Sequence, residues 1–123
     1  MLRAFLFVGL GGALGSMARY GVSLTVNRLT EHPFPIATFI INIVGCFLIG
    51  LLFGLGQKNQ WIHSDGWLVL ATGFCGGFTT FSAFALENVN LLSKGQSTMS
   101  LVYCISSVVL GILLCRAGVL LIR

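Results

Sequence analysis

The sequence predicts an all-α integral membrane protein with four transmembrane helices, and two observations support this prediction. First, 56% of the 123 residues are hydrophobic and only 8% are charged, whereas a soluble domain needs far more charge to cover its surface. Second, the apolar residues fall into four segments, each close to the roughly twenty residues that cross a bilayer as a helix. Spans of this length must satisfy their backbone hydrogen bonds internally, which favours helices over strands.

The predicted spans cover residues 2–26, 35–56, 66–92 and 97–122. Only short polar connections separate them, so we expect a single transmembrane domain over residues 1–123. The first apolar segment lacks an A-x-A cleavage site, and we therefore expect a retained span rather than a secretion signal. An even number of spans places both termini on one side of the membrane.

The basic residues are almost balanced between the two predicted sides of the membrane. Orientation normally follows the Lys/Arg asymmetry of short loops, and here the sides differ by about one residue if the arginine of the first span reaches the far surface. Either the rule is uninformative for this chain, or the chain inserts both ways and permits an antiparallel homodimer; we favour dual topology. The terminal side carries Arg3, Lys58, Arg116 and Arg123, and the opposite side carries Arg28, Lys94 and Arg19.

Composition and spacing also argue against several classes of function. The net charge of +4 comes from basic residues scattered singly, whereas nucleic-acid binding usually needs a clustered patch, so we expect no nucleic-acid partner. All four cysteines lie in apolar segments without metal-ligand spacing, and we predict buried free thiols. We find no Cys/His pair, carboxylate pair or phosphate-binding loop, and we predict that the protein is not an enzyme.

The first two spans combine small residues with single polar ones. Gly11, Gly15 and Arg19 recur every four residues on one face of the first span, and glycines at this spacing let helices approach closely. Arg19 either snorkels to the interface or attracts anions in a water-filled vestibule. Thr38 and Asn42 share a stripe of the second span, where the Asn42 amide either bonds a neighbouring helix or donates into a pore.

The third span is predicted to be broken near its middle. Adjacent Gly76 and Gly77 are followed by Thr79 and Thr80 at mid-membrane depth, which favours a local break. Such a break is tolerated only where the freed carbonyl groups face protein, a cavity or an ion. These carbonyls are hard oxygen ligands of the kind that suits an alkali cation.

Aromatic rings and hydroxyl groups follow the predicted break. Phe81 and Phe84 are three residues apart and so share a helix face. An aromatic pair in a span ordinarily only packs, but here Thr79, Thr80 and Ser82 supply hydroxyls in the same region. Because a phenyl ring has a positive edge, ring edges beside hydroxyl and amide donors form a weakly binding path for an anion.

Two further polar features lie in the second half of the chain. Glu87 falls within the third span, where an acid is costly and marks a functional site by default. Tyr103, Ser107 and Gly111 recur every four residues as a polar strip on the fourth span. Serines also bond back to their own helix, so this strip gains its weight from the polar faces of the other three spans.

Taken together, these residues resemble the Fluc (CrcB-type) fluoride channel family of bacterial fluoride exporters. The resemblance covers nearly the whole chain, and its most specific part lies in the third span. It rests on Gly11-Gly-Ala-Leu-Gly with Arg19-Tyr20, on Thr38 to Asn42 followed by Gly45, and on Gly73-Phe-Cys-Gly-Gly-Phe-Thr-Thr-Phe-Ser-Ala-Phe with Glu87.

The resemblance implies a dual-topology antiparallel homodimer with two fluoride pathways, each built from both subunits. It also implies a structural Na+ at the dimer centre, held by the backbone carbonyls of Gly76 and Thr79 from both chains. Two positions depart from the family pattern, since Ala83 and Gly111 stand where hydroxyl residues are common. With Arg19 as the vestibule arginine and Glu87 without an assigned role, we place the fluoride pathway at Thr38, Asn42, Thr80, Phe81, Ser82, Phe84, Tyr103 and Ser107.

The function implied by the resemblance is passive, fluoride-selective conduction that lowers cytoplasmic fluoride by export across the bacterial inner membrane. An alternative is a small four-helix, proton-coupled exporter of cationic drugs. Such an exporter needs an acid in its first span, where this chain has Arg19 instead. A third interpretation, a subunit that only packs against a larger complex, would not need the Gly-Gly break with its surrounding hydroxyls.

Overall fold

The chain is all-helical in a computed structural model that describes residues 1–122. Four helical segments are long and apolar enough to cross a membrane, which confirms the predicted fold class at this level. Arg123, one of the basic residues counted above, lies outside the described residues. The four segments are Leu2–Leu29, Ile36–Asn59, Asp65–Ser93 and Ser97–Ile122.

Three of the four segments are uninterrupted helices: α1 (Leu2–Leu29), α2 (Ile36–Asn59) and α6 (Ser97–Ile122). The connection after α1 contains two prolines, and α2 begins directly after Pro35, in keeping with the extended conformation that proline imposes on the residue before it. The last connection is shorter still, and Gly95 turns the chain there with a φ of 75°, a value that glycine adopts without steric cost.

The third segment differs from the others along most of its length. After one short α-helical turn it winds as a π-helix. Thr79 (φ −79°, ψ 156°) and Thr80 (φ −149°, ψ 117°) then have extended backbone torsions between two helical stretches. We call these two threonines the extended pair. In chain order the segment comprises α3 (Asp65–Trp67), the π-helix (Leu68–Cys75), α4 (Gly76–Phe78), the extended pair and α5 (Phe81–Ser93).

Glycines bring α1 into backbone contact with the third segment. A Cβ atom on Gly11 would overlap the carbonyl oxygen of Val69, and a Cβ on Gly15 would overlap that of Phe74. From the other side, a Cβ on Gly77 would lie 2.5 Å from the carbonyl oxygen of Gly12. The glycine face predicted for the first span therefore packs directly against the π-helix and α4.

A second close contact joins α2 to α6. A Cβ on Gly50 would overlap the carbonyl oxygen of Cys115, and a Cβ on Gly118 would lie 2.5 Å from the carbonyl oxygen of Phe47. Helix α5 packs against α6 in turn. Tyr103 and Ile41 are the largest fully buried side chains of the resulting interior, while many large aliphatic side chains point outward, as expected for helices that face lipid.

Candidate functional site

The extended pair is held in place by Asn42 of α2. Its Nδ2 donates to the carbonyl oxygen of Thr80 (3.1 Å), and the Thr80 N–H donates to its Oδ1 (2.8 Å). The amide thus supplies partners for backbone groups that lose their helical ones at the interruption. Of the two alternatives for Asn42, the structure shows the bond to a neighbouring segment, and the second Nδ2 hydrogen gives the amide one donor beyond this pair.

Hydroxyl groups organise the backbone on both sides of the interruption. Thr79 Oγ1 donates to the carbonyl oxygen of Cys75 (2.9 Å) at the end of the π-helix. Thr80 Oγ1 accepts from the Ala83 N–H (3.2 Å) and so caps the N-terminus of α5. Ser82 Oγ lies 3.2 Å from Thr80 Oγ1, where either hydroxyl can donate.

Arg19 reaches the interruption from α1. Its Nε donates to the carbonyl oxygen of Gly77 (3.1 Å), one of the last carbonyls before the extended pair. The end of a helical stretch carries a partial negative charge that favours a cation. The guanidinium has four further N–H donors, so this one bond does not exhaust its capacity to attract an anion.

A second group of polar side chains surrounds Glu87. Thr38 Oγ1 donates to Glu87 Oε2 (2.7 Å) from α2, and the Tyr103 hydroxyl donates to Oε1 (2.8 Å) from α6. Thr38 is buried and Tyr103 is fully buried. Each oxygen of the costly intramembrane acid therefore has a donor, and the acid ties α5 to both α2 and α6.

Aromatic rings connect these two groups. The ring centroids of Phe81 and Phe84 are 5.7 Å apart, and those of Phe84 and Tyr103 are 4.8 Å apart. Tyr103 in turn meets Phe34 of the α1–α2 connection edge-on at 5.3 Å. All three distances lie in the range of attractive ring contacts. The series begins at Phe81, a residue that is 78% exposed, and ends at the connection before α2.

Two cavities adjoin these residues. The larger, about 480 Å³, opens on the outside of the chain beside the extended pair and is lined by residues that include Asn42, Gly76, Thr79 and Phe81. The smaller, about 180 Å³, lies beneath the α1–α2 connection and extends to Glu87. Both sides of the site, the interruption and the acid, are thus accessible from a cavity.

Sequence comparison supplies the decisive observation. Residues 6–119 match the family described as CrcB-like protein, Camphor Resistance (CrcB). The chain belongs to the CrcB family. Its relatives include proteins from Paracoccus denitrificans (47% identical over 118 residues, 96% of this chain and 93% of the relative) and Flavobacterium psychrophilum (40% over 122 residues, 99% and 98%). A third, from Azobacteroides pseudotrichonymphae, is 42% identical over 111 residues, 90% of this chain and 89% of the relative.

Each of these three CrcB relatives is named fluoride-specific ion channel FluC. The family resemblance drawn from the motifs is therefore confirmed. The comparisons span nearly the whole chain, so they concern the entire four-helix unit rather than a fragment of it.

The structure of this CrcB protein brings most of the predicted site residues together in two groups, while their roles in conduction stay predictions. Asn42, Thr80, Phe81 and Ser82 surround the interruption, as do the predicted sodium ligands Gly76 and Thr79. Thr38, Tyr103 and Glu87 form the second group, and Phe84 contacts it through Tyr103.

Ser107 and Arg19 stand apart from the second group. Ser107 lies one helical turn beyond Tyr103, and its buried Oγ has no hydrogen-bond partner among residues 1–122, a condition that an ion or a water molecule relieves. Arg19 contacts the interruption alone. The structure therefore does not connect every predicted pathway residue within one chain.

Two residues at the site were not predicted. Asn88 is a buried amide next to Glu87, and the cost of an amide inside a span is a signal that sequence reasoning could have used. Phe34 lies in the connection before α2, where no periodicity indicates which side chain turns inward. Its contact with Tyr103 is visible only in the tertiary structure.

Proposed function

We propose that this protein is a fluoride-selective channel of the bacterial inner membrane that exports fluoride passively. The observation that carries this proposal is the match to relatives named fluoride-specific ion channel FluC over nearly the whole chain. Four apolar helices make the chain a multi-pass membrane protein. A channel is a transporter rather than an enzyme, which agrees with the lack of catalytic groupings in the sequence.

The groups at the site suit a small, strongly hydrated anion. A pore for fluoride must replace hydration water with several donors while still allowing the ion to leave. Hydroxyls of Thr80 and Ser82, an unused hydrogen of Asn42 and the ring edges of Phe81 and Phe84 supply such donors without a fixed cation. We place the pathway along these residues and onward to Thr38, Tyr103 and Ser107, with Arg19 attracting the anion at a vestibule.

An antiparallel second copy is the proposed cover for the outer cavity. Backbone that is not helical is tolerated at membrane depth only where protein or a water-filled cavity lies against it. In a single chain the extended pair borders an open cavity of about 480 Å³, and Phe81 beside it is 78% exposed. A second copy would bury both, and the near balance of basic residues permits it to insert with opposite orientation.

The interruption of the third span is the proposed site of the structural Na+. Gly76 and Thr79 line the outer cavity, and backbone carbonyls are hard oxygen donors of the type that alkali cations accept. The side chains of Arg19 and Asn42 bond the carbonyls of Gly77 and Thr80 rather than these two. When bound, the ion would supply positive charge to the carbonyls that both copies present.

The membrane potential gives the proposed direction of transport. No residue of the site suggests coupling to ATP, and an inside-negative potential drives an anion outward. The alternative, a proton-coupled exporter of cations, is not favoured, because helix α1 contains no Asp or Glu and the relatives are named as fluoride channels.

Flux from liposomes tests the proposal. Purified protein is reconstituted into liposomes loaded with potassium fluoride, and a potassium ionophore clamps the voltage while external fluoride is recorded. We expect fast fluoride release and far slower chloride release. Release no faster than from protein-free liposomes would contradict conduction, and equal chloride release would contradict selectivity.

Two ring substitutions test the pathway within the same assay. Phe81→Ile and Phe84→Ile keep an apolar side chain but remove the positive ring edge. We expect each to reduce fluoride release strongly while the dimer still assembles, as judged by size-exclusion chromatography. Unchanged release in both variants would show that the rings only pack.

Topology and sodium are tested separately. A reporter fused to the C-terminus should be detected on both faces of the membrane, and detection on a single face would contradict dual insertion.

Replacing Na+ by N-methyl-D-glucamine throughout purification should lower the dimer fraction, and returning Na+ should restore it. A dimer fraction insensitive to Na+ would contradict the structural ion.

A further inference from the structure

Asn88 of α5 forms hydrogen bonds with three groups. It lies one helical turn after Phe84, the residue whose ring contacts Tyr103. Its Nδ2 donates to the carbonyl oxygen of Phe84 (2.9 Å), one turn earlier in the same helix. Its Oδ1 accepts from Ser100 Oγ (2.7 Å) and from Cys104 Sγ (3.3 Å), both on α6. Asn88 is 9% exposed, and Ser100 is buried as well.

Packing alone does not account for an amide at this position. An apolar side chain would fill the same contact between α5 and α6 without the cost of placing an amide inside a span. The amide instead makes a directional connection. Ser100 and Cys104 are one turn apart on α6, and Asn88 Oδ1 accepts from both, which fixes the position of α5 along the axis of α6.

The ring contact depends on that axial position. Phe84 and Tyr103 have centroids 4.8 Å apart, and the Tyr103 hydroxyl lies 2.8 Å from Glu87. A helix advances about 1.5 Å per residue, so a slip of one residue between α5 and α6 would shift the two rings, and the hydroxyl and carboxylate groups, by about that distance and weaken both contacts.

We propose that Asn88 is a positioning residue that sets the register of α5 on α6 and thereby holds Phe84 against Tyr103 on the ion pathway. The proposal rests on the proposed function, since it concerns the placement of a ring assigned to the fluoride path. Asn88 itself is not assigned a contact with the ion. It acts through the backbone of Phe84 and through the two donors on α6.

Single-channel recording distinguishes positioning from stability. A variant that only destabilises the protein lowers the number of channels in a planar bilayer, whereas a displaced ring changes the fluoride current through each channel. We expect Asn88→Leu to reduce the current per channel roughly three- to twentyfold, the range that hydrogen bonds between membrane helices supply. Asn90→Leu is the matched control, because Asn90 is an exposed residue of the same helix, and its current should equal that of the unmodified protein.

The partner on α6 gives an independent test if Asn88→Leu does not assemble. Ser100→Ala removes the shortest bond to the amide and should also lower the current per channel, while Ser100→Thr keeps the hydroxyl and should restore it. The double variant Asn88→Leu/Ser100→Ala should be no worse than Asn88→Leu alone, because both changes remove the same connection.

Two outcomes distinguish failure of the proposed function from failure of the positioning role. Unmodified protein that carries no fluoride current would overturn the proposed function. Unmodified protein that conducts, with an unchanged current per channel in Asn88→Leu or, where that variant does not assemble, in Ser100→Ala, would overturn the positioning role and leave conduction standing.

Discussion

The α2–α6 pair and the α1–third-segment pair both depend on glycine, but they bring different kinds of backbone together. In the first pair, Gly50 and Gly118 let two uninterrupted helices touch. In the second, Gly11 and Gly15 press α1 against a π-helix that leads to the extended pair. Irregular backbone of this kind is frequent at functional sites, so close packing serves stability in one pair and supports a site in the other.

The distribution of polar bonds follows the same division. Among residues 1–122, the side-chain hydrogen bonds that α5 and its cap make to other helices go through Thr80, Glu87 and Asn88. Over the same described range, residues 43–58 of α2 and 105–122 of α6 contribute none between helices. Polar bonds between helices are therefore concentrated on α5 and its cap, and the α2–α6 pair is held by apolar contact.

The largest effect should come from disrupting the contact between α2 and α6. Gly50→Leu places a side chain against the backbone of Cys115, and the helices must separate to admit it, at a cost of about 3 kcal/mol or more. We expect loss of monodisperse protein by size-exclusion chromatography. Gly21→Leu is the control, because a Cβ on Gly21 meets nothing within 4 Å; equal losses in both variants would show that the α2–α6 contact is not the cause.

The next effect should come from the interruption. Asn42→Leu removes both partners of the part-buried Thr80 backbone groups, and leaving such polar groups unpaired costs about 1–2 kcal/mol. We expect a lower melting temperature together with fluoride release reduced by more than about tenfold, the factor that 1.4 kcal/mol represents. Asn59→Leu at the exposed end of α2 should change neither, and wild-type release from Asn42→Leu would show that the pair does not support the site.

A smaller effect is expected from the cap of α5. Thr80→Ala removes the hydroxyl that accepts from the Ala83 N–H, and loss of such a cap costs about 1 kcal/mol. Thr80→Ser keeps the oxygen and should retain nearly full thermal stability. If the Thr80→Ala and Thr80→Ser variants had the same melting temperature, the cap would have no energetic role.

The smallest effect should come from the start of the third segment, where it meets the start of α1. Arg3 and Asp65 form an ion pair between α1 and α3 whose side chains are 76% and 45% exposed. Exposed pairs contribute little, so Arg3→Ala should change the free energy of unfolding by no more than about 0.5 kcal/mol, and less at high salt. A large loss that persists in concentrated salt would indicate a role other than this pair.

A substantial part of this structure could be predicted from local sequence patterns, because each such pattern involves only a few neighbouring residues. The length and hydrophobicity of each segment indicate a span, and the three-residue spacing of Phe81 and Phe84 brings their rings to 5.7 Å. The glycines at Gly11 and Gly15 likewise predicted a close contact, although not which backbone they would meet. Family membership followed from the ordered motifs in the same way.

The four spans, the small-residue faces and the family are therefore predictable from the chain alone, since hydrophobic length, helical periodicity and motif order are properties of neighbouring residues. Which polar groups pair depends instead on how the helices pack in three dimensions. Asn42 meets Thr80 across 38 residues of chain, and Thr38 meets Glu87 across 49. The cost of an amide or acid inside a membrane span indicates that the side chain needs a hydrogen-bond partner. The packing of the helices determines which partner it meets.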